Sequence, residues 1–306
     1  MKSKVALIKG DNRRDNMRRA MELIQEDLAA KICCQEVIVK PNCLRATSPL
    51  CCTHVDALRG ILDFVPYSSP ESVTIAEICN DKEPLGSFKE LGYMPLAEEY
   101  DVSLIDPTED DDWVEIQLLN KDFQEVTAHI SKRMVDCKCR ISAAVAKIHD
   151  TVIMTASWKN MMGALASQDK VKMHGVRKHS DRVLASEIVI LPQNLLRLAK
   201  AIPPHIGAID GFIGMEGSGP VSGDEKPLGV AIVSTDFVAA DAVCAKTMGF
   251  EPMDISYLNY AHEQGLGTAV LDDIEIVGSS IEDVVSEFVP HPNYPTQCTW
   301  RELSYT

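Results

Sequence analysis

The segment Arg140-Ile-Ser-Ala-Ala-Val-Ala-Lys-Ile148 is Ala, Val and Ile almost throughout. A strand with one face in water alternates apolar and polar residues, so a run this uniform needs cover on both faces and belongs at the centre of a sheet. Shorter apolar runs make the same demand: Val5 to Ile8, Glu36 to Lys40 stopping at Pro41, Val73 to Ala76, Ile206 to Ile209, Gly229 to Val233 and Ile274 to Val277. Between them lie stretches of helical periodicity: Asp15 to Ala29, a helix capped by Thr53 and running to about Phe64, Phe88 to Tyr93, Ser157 to Leu165, Asp236 to Met248 and Ile281 to Phe288. Ser180 to Lys200 is helical in pattern but holds Pro192, which predicts two helices or one kinked one. This alternation predicts an α/β fold, a twisted, mainly parallel or mixed sheet with helices on both faces.

The middle of the chain reads differently. Val102 to Ile105, Val114 to Leu118 and Val126 to Ile130 alternate like strands around the acidic run Glu109 to Asp112. With no internal repeat or low-complexity linker, the expected organisation is one α/β domain over 1–289 with an inserted antiparallel subregion near 100–135. The proline-rich tail, 290–306, is expected to pack as an irregular strap.

Composition narrows the function classes. Forty-five Asp and Glu against 30 Lys and Arg give a net charge of −15, which repels a phosphate backbone and argues against nucleic acid as a partner. The basic start Met1 to Lys4 is followed by a short apolar run broken at Lys9, so neither a signal peptide nor a membrane span is expected, and the location expected is cytoplasmic. Ten cysteines are scattered without a C-x-x-C pair, so reduced thiols are expected and the ferredoxin-type run is absent. Cys137 and Cys139, two apart, would point their thiols to one face if both lay on a strand.

Ligands of parallel sheets bind at the carboxyl ends of strands, beside helix N-termini with free N–H groups. Four segments bring polar residues to such ends. Lys40 and Asn42 emerge where a strand is stopped by Pro41, and Lys40 either enters a site or snorkels to solvent. Lys147 ends the most apolar strand, where desolvation lowers an amine toward the range of a base or nucleophile, and His149 beside it is a ligand, an acid or base, or a cap. Lys159 and Asn160 fall in the first turn of a helix for which Thr155 and Ser157 are candidate caps; a lysine there calls for an acidic partner or a bound anion. The fourth is Asp210-Gly-Phe-Ile-Gly-Met-Glu-Gly-Ser-Gly-Pro220, read as a backbone cradle with Gly217 and Gly219 around Glu216. It lacks both G-x-G-x-x-G and a following Gly-Lys-Ser/Thr, so it is no nucleotide loop. His174 sits in the polar stretch Ser167 to Asp181, read as a mobile loop or lid. Asp236 reads as a helix N-cap.

Together these segments resemble the family catalogued as domain of unknown function 362. The matching residues are Val39-Lys40-Pro41-Asn42, Lys147 with His149, Lys159-Asn160 with Gly163, His174, Asp210-Gly211 with Gly214 to Gly217 and Gly219-Pro220, Ser234 to Asp236, Asp241-Ala242 and Gly265 to Gly267, spread over about residues 36 to 278. The resemblance implies no defined reaction. Many members carry ferredoxin-like cysteine motifs or export signals, which hints at redox work, and this chain has neither. A looser similarity is to nickel-dependent lactate racemase relatives, which place Lys and His after a buried strand.

Three functions follow from these readings. The first is an enzyme acting on a small anionic metabolite, with Lys147, Lys159, Glu216 and His149 as catalytic groups and Lys40, Asn42, Asn160, His174, Gly217 and Gly219 as binding groups. The second is a redox protein holding an iron–sulfur centre or another metal, with Cys43, Cys51, Cys52, Cys137 and Cys139 as its thiols. The third is a non-catalytic binding protein. The cofactor, the substrate and the oligomeric state stay open.

Overall fold

The computed structural model describes residues 2–79 and 85–303. Nine strands form one mixed sheet: β1 (Ser3–Lys9), β2 (Glu36–Lys40), β3 (Ser72–Ala76), β4 (Ser103–Ile105), β7 (Cys139–His149), β8 (Ile153–Thr155), β9 (Ile206–Glu216), β10 (Asp224–Ser234) and β11 (Ile274–Gly278). Their spatial order is β11-β1-β10-β9-β7-β2-β3-β4, with β8 folded back on β7. From β9 through β4 every pair is parallel, whereas the β9–β10 hairpin and the β10–β1 pair are antiparallel. All eleven residues of β7 are buried, as a central strand requires.

The pleat sorts the core into two layers. Val5, Leu7, Ile38, Ala144 and Ala146 face one cluster, and Ala6, Ile8, Val37, Val39, Ile141 and Ala143 face the other. The second layer is closed by α1 (Arg13–Leu23), α2 (Gln25–Ile32) and α3 (Val55–Leu62), with α4 (Gly86–Glu90) and α5 (Leu96–Tyr100) at its edge. The first layer is closed by the β5–β6 hairpin (Trp113–Leu119 and Glu125–Ser131), α6 (Lys132–Asp136), α7 (Ser157–Asn160), α8 (Leu184–Ala201), α9 (Phe237–Thr247) and α10 (Ser256–Glu263). Burying each large aliphatic side chain of these layers contributes about 1.5–3 kcal/mol. Among the described helices, none is long and apolar enough to cross a membrane.

Several elements differ from the sequence expectation for identifiable reasons. The helix expected over Asp15 to Ala29 is two helices broken at Ile24, where φ is −122°. The α3 cap is His54, whose ring accepts from Asp56 N–H, because the Thr53 hydroxyl is engaged with Ala143 O and Asn42 N–H. The helix α8 runs unbroken through Pro192, and residues 179–181 form a separate turn. The segment expected as a helix from Ile281 to Phe288 makes a single turn, since Ser286 and Phe288 donate their N–H groups to Thr247 and Met248 at the end of α9. The strand at 103–105 extends the main sheet in parallel, and the antiparallel pairing lies in β5–β6. The C-terminal segment holds two short turns of helix, α11 (Tyr294–Gln297) and α12 (Trp300–Leu303); residues 304–306 of the expected strap lie outside the described residues. Asp236 caps α9 as expected, accepting from Val238 and Ala239 N–H.

Candidate functional site

The carboxyl ends of β2, β3 and β7 open into a cavity of about 430 Å³. Behind its floor lies a charged layer. Lys40 is fully buried and forms an ion pair with Glu77, which follows β3. The same ammonium donates to Pro41 O at 3.1 Å and Asn160 Oδ1 at 3.3 Å. Lys40 therefore neither snorkels nor faces a ligand, because its charge is consumed by Glu77. A Cβ on Gly163 would stand 2.2 Å from the Glu77 carboxylate and 2.4 Å from Lys40 Nζ, so only glycine fits over this pair.

Asn160 links that layer to the next. Its Nδ2 donates to Lys40 O and Ser142 Oγ, and its Oδ1 accepts from Asn42 Nδ2 at 3.0 Å. Asn42 Oδ1 in turn accepts from Lys147 Nζ at 3.1 Å, and Lys147 also donates to Cys51 O at 2.7 Å. Asn42 and Asn160 thus position Lys147 while lining the cavity themselves. Burial lowers the Lys147 ammonium from its usual range. The Cys51 thiol, hydrogen-bonded by Cys52 and close to Lys147, is drawn down to about 6.

The third layer faces the cavity. Lys159, partly buried, lines it from the first turn of α7 and has no hydrogen-bond or ion-pair partner among the described residues; desolvation and the Lys147 charge bring its amine down to about 7. The start of α7 is not capped by Thr155 or by its own Ser157. Asp241, one turn into α9, accepts from Ser157 N–H at 2.8 Å, Trp158 N–H at 3.1 Å and the Ser157 hydroxyl. The Thr155 hydroxyl, buried on the cavity wall, has no partner among the described residues.

Of the three histidines on the wall, His149, His174 and His179, the first two have their rings stacked 6.4 Å apart and inclined by 16°. His149 Nδ1 accepts from Thr151 N–H at 3.0 Å and lies 3.1 Å from Asp150 Oδ1; the backbone donor assigns the proton of the neutral ring to Nε2. His174 Nδ1 lies 3.0 Å from Glu187 Oε2, a buried carboxylate that accepts the Nδ1 proton and leaves the Nε2 lone pair free. The two rings therefore hold opposite tautomers, assigned from their hydrogen bonds. Burial lowers both: His149 well below the usual range, with the nearby Lys159 adding to it, and His174 less, since the Glu187 hydrogen bond opposes the shift. Burial pushes Glu187 up, but the hydrogen bonds from His174 and Arg182 prevail and hold it at about 2. Arg182 also reaches Asp150 at 3.1 Å, tying the polar segment to the turn after β7. His174 is buried, and the Ser167–His174 part of the expected lid is a packed 3₁₀ helix.

Arg45, Lys147, Lys159, Lys170 and Arg182 line the cavity against only Glu77 and Asp150, so it is cationic on a strongly acidic chain. Lys170, lowered by burial, donates to Ile78 O at 2.6 Å. A larger groove of about 530 Å³ borders the β5–β6 hairpin, but there Lys121 and Lys172 are paired with Asp122 and Asp169.

The glycine-rich segment takes another form than a cradle. Residues up to Glu216 are strand β9, and Met215 packs with Cys51 and Cys52. The pleat sends Glu216 to the opposite face, where its carboxylate accepts from Val289 N–H at 2.9 Å and pairs with Lys226 at 3.2 Å. Gly217 has φ +73° and donates its N–H to Val289 O. A Cβ on Gly219 would stand 2.1 Å from Ile148 O, so this glycine lets the hairpin tip lean on the end of β7. Pro220 and Val221, not Glu216, Gly217 or Gly219, reach the cavity. Cys137 and Cys139 face different core layers, because Cys137 lies before the strand begins. Among the described residues no group of three or more His, Cys, Asp or Glu is placed to hold a metal ion.

Glu77, Lys170, Arg182, Glu187 and Asp241 carry no assigned role in the sequence reading. Glu77 had a signal, an acidic residue directly after an apolar strand. Glu187, a charge against the uncharged run Ile188 to Leu191, had another.

The thylakoid-associated protein sll1697 of Synechocystis sp. is 24% identical over 243 residues, covering 75% of this chain and 68% of that protein. Among solved structures, the lactate racemase apoprotein from Thermoanaerobacterium thermosaccharolyticum is similar in fold, with a TM-score of 0.54 and 14% identity over 80% of this chain and 57% of its own. A Thermotoga maritima protein matches at a TM-score of 0.45 and 9% identity, over 80% of this chain and 61% of its own. The family model described as Domain of unknown function (DUF362) matches residues 37–246, and the chain belongs to that family.

Proposed function

We propose that the chain is an enzyme that moves a proton on a small anionic metabolite bound at the carboxyl ends of β2, β3 and β7. The observation that carries this reading is the pair of contacts, Thr151 N–H to His149 Nδ1 and His174 Nδ1 to Glu187, from which opposite tautomers are assigned. His149 offers an Nε2–H to an oxygen on which negative charge develops, and His174 offers an Nε2 lone pair backed by Glu187. A neutral imidazole polarises an oxygen without surrendering its proton, and a carboxylate behind the second imidazole stabilises the imidazolium formed when it takes one. Lys147 and Lys170 each have hydrogen-bonding capacity beyond their protein acceptors, and together with Arg45 they supply the charge that draws in an anion. Glu216 has no part in this chemistry.

The test is proton exchange. A panel of small hydroxy, oxo and phosphorylated acids, lactate among them, is incubated with the protein in D₂O and followed by NMR. At least one member should exchange a carbon-bound proton, and His174→Asn should slow it by about 10²–10⁴-fold. A panel in which no member exchanges or raises the melting temperature would sink the reading.

A further inference from the structure

Among the cavity groups that the proton-transfer reading leaves unused is the amine of Lys159. We propose that Lys159 is an amine nucleophile that condenses with a carbonyl group, which makes the substrate class a small oxo acid, an anion bearing an aldehyde or ketone. This rests on the reading of the cavity as an acid–base site for anions.

The geometry separates Lys159 from its neighbours. Lys40 is paired with Glu77, Lys147 is held by Asn42 and Cys51, and Lys170 is held by Ile78 O. Lys159 lines the same cavity and has no hydrogen-bond or ion-pair partner among the described residues. An ammonium placed only to bind an anion would stay charged. Burial beside Lys147 instead brings this amine down to about 7, so a large fraction is neutral near neutral pH. Its backbone is fixed from outside the helix, since Asp241 accepts from the N–H groups of Ser157 and Trp158.

The step balances with groups on the wall. The Nζ lone pair attacks the carbonyl carbon, and the C=O π electrons move to oxygen, where the His149 Nε2–H hydrogen-bonds them. The two amine hydrogens pass in turn through His174 Nε2 to that oxygen, which leaves as water while the C=N bond forms. No oxidant or reductant is needed. The acid's carboxylate is held by Lys147 and Lys170.

The experiment uses the full chain with pyruvate as probe and sodium cyanoborohydride as trap. The trap delivers hydride to the imine carbon and leaves a stable secondary amine. Peptide mapping should place the adduct on Lys159 at least about tenfold above any other lysine at neutral pH. Lys159→Arg and Lys159→Met, each checked for an unchanged circular dichroism spectrum, should both abolish that peptide's label. Lactate, an anion without a carbonyl, should give no adduct. An adduct spread evenly over the lysines, or none on Lys159, overturns the proposal. If lactate or another acid of the exchange panel still exchanges its proton in that case, the acid–base reading survives and only the nucleophile is lost; if nothing binds or exchanges, both fall.

Discussion

The tip of the β9–β10 hairpin and the ends of β2, β3 and β7 carry similar raw material, acidic and basic side chains beside glycines where strands run out. At the hairpin, the Glu216 carboxylate is taken up by Lys226 and the Val289 N–H. At the strand ends, cations outnumber carboxylates among the lining residues, and Lys159 has no partner among the described residues. Glycine serves packing in both places, by admitting Ile148 O at Gly219 and the Lys40–Glu77 pair at Gly163. Glycine spacing therefore says where backbones come close.

Four perturbations break or sharpen this contrast. The largest effect belongs to the buried pair: Lys40→Met leaves Glu77 uncompensated and should cost about 3–5 kcal/mol in urea unfolding, whereas Lys40→Met with Glu77→Leu should recover most of it. Next, Asp241→Ala orphans two backbone N–H groups and a hydroxyl at the start of α7 and should cost about 2–3 kcal/mol, with reduced protection of Ser157 and Trp158 in hydrogen exchange.

A smaller effect is pH-dependent. Lys159 is drawn down to about 7 from an ordinary 10.5, so between those values the unfolded chain holds a proton that the folded chain has released, and wild-type stability rises with pH across that window. Lys159→Met lacks this slope. Its advantage should be fully present below pH 7 and gone near 10.5, read from unfolding curves at a series of pH values. The smallest effect is at the hairpin, where Glu216→Gln should change stability by less than about 1 kcal/mol and leave proton exchange untouched. Loss of exchange in that variant would return the hairpin to the centre of the chemistry.

What was legible in the sequence was what a strand or helix end fixes locally. Lys147 and His149 end β7, and Lys159 and Asn160 fall in the first turn of α7, so the strand and the helix start located them, while His174 is legible only as part of the polar stretch Ser167 to Asp181. What was hidden was pairing across the fold. Nothing near Lys40 announces Glu77, 37 residues on, and nothing near Ser157 announces Asp241, 84 residues on. The hairpin was misread because strand length decides the face. Extending β9 from Ile209 to Glu216 sends Met215 and Glu216 to opposite sides. The break at Ile24 had no glycine or proline to mark it.

The position of β1 has a consequence for how the chain assembles. This strand, which precedes the other described strands, finds its neighbours in β10 and β11, more than 200 residues later. The β2, β3, β4 and β7 half has its strand partners by His149, and its β9 neighbour follows at Ile206. On a translating ribosome, Val5 to Ile8 must therefore wait with both edges open while most of the cationic pocket is already taking shape. At roughly 5–20 residues per second that wait is on the order of ten seconds or more, and over it this short apolar segment is open to mispairing.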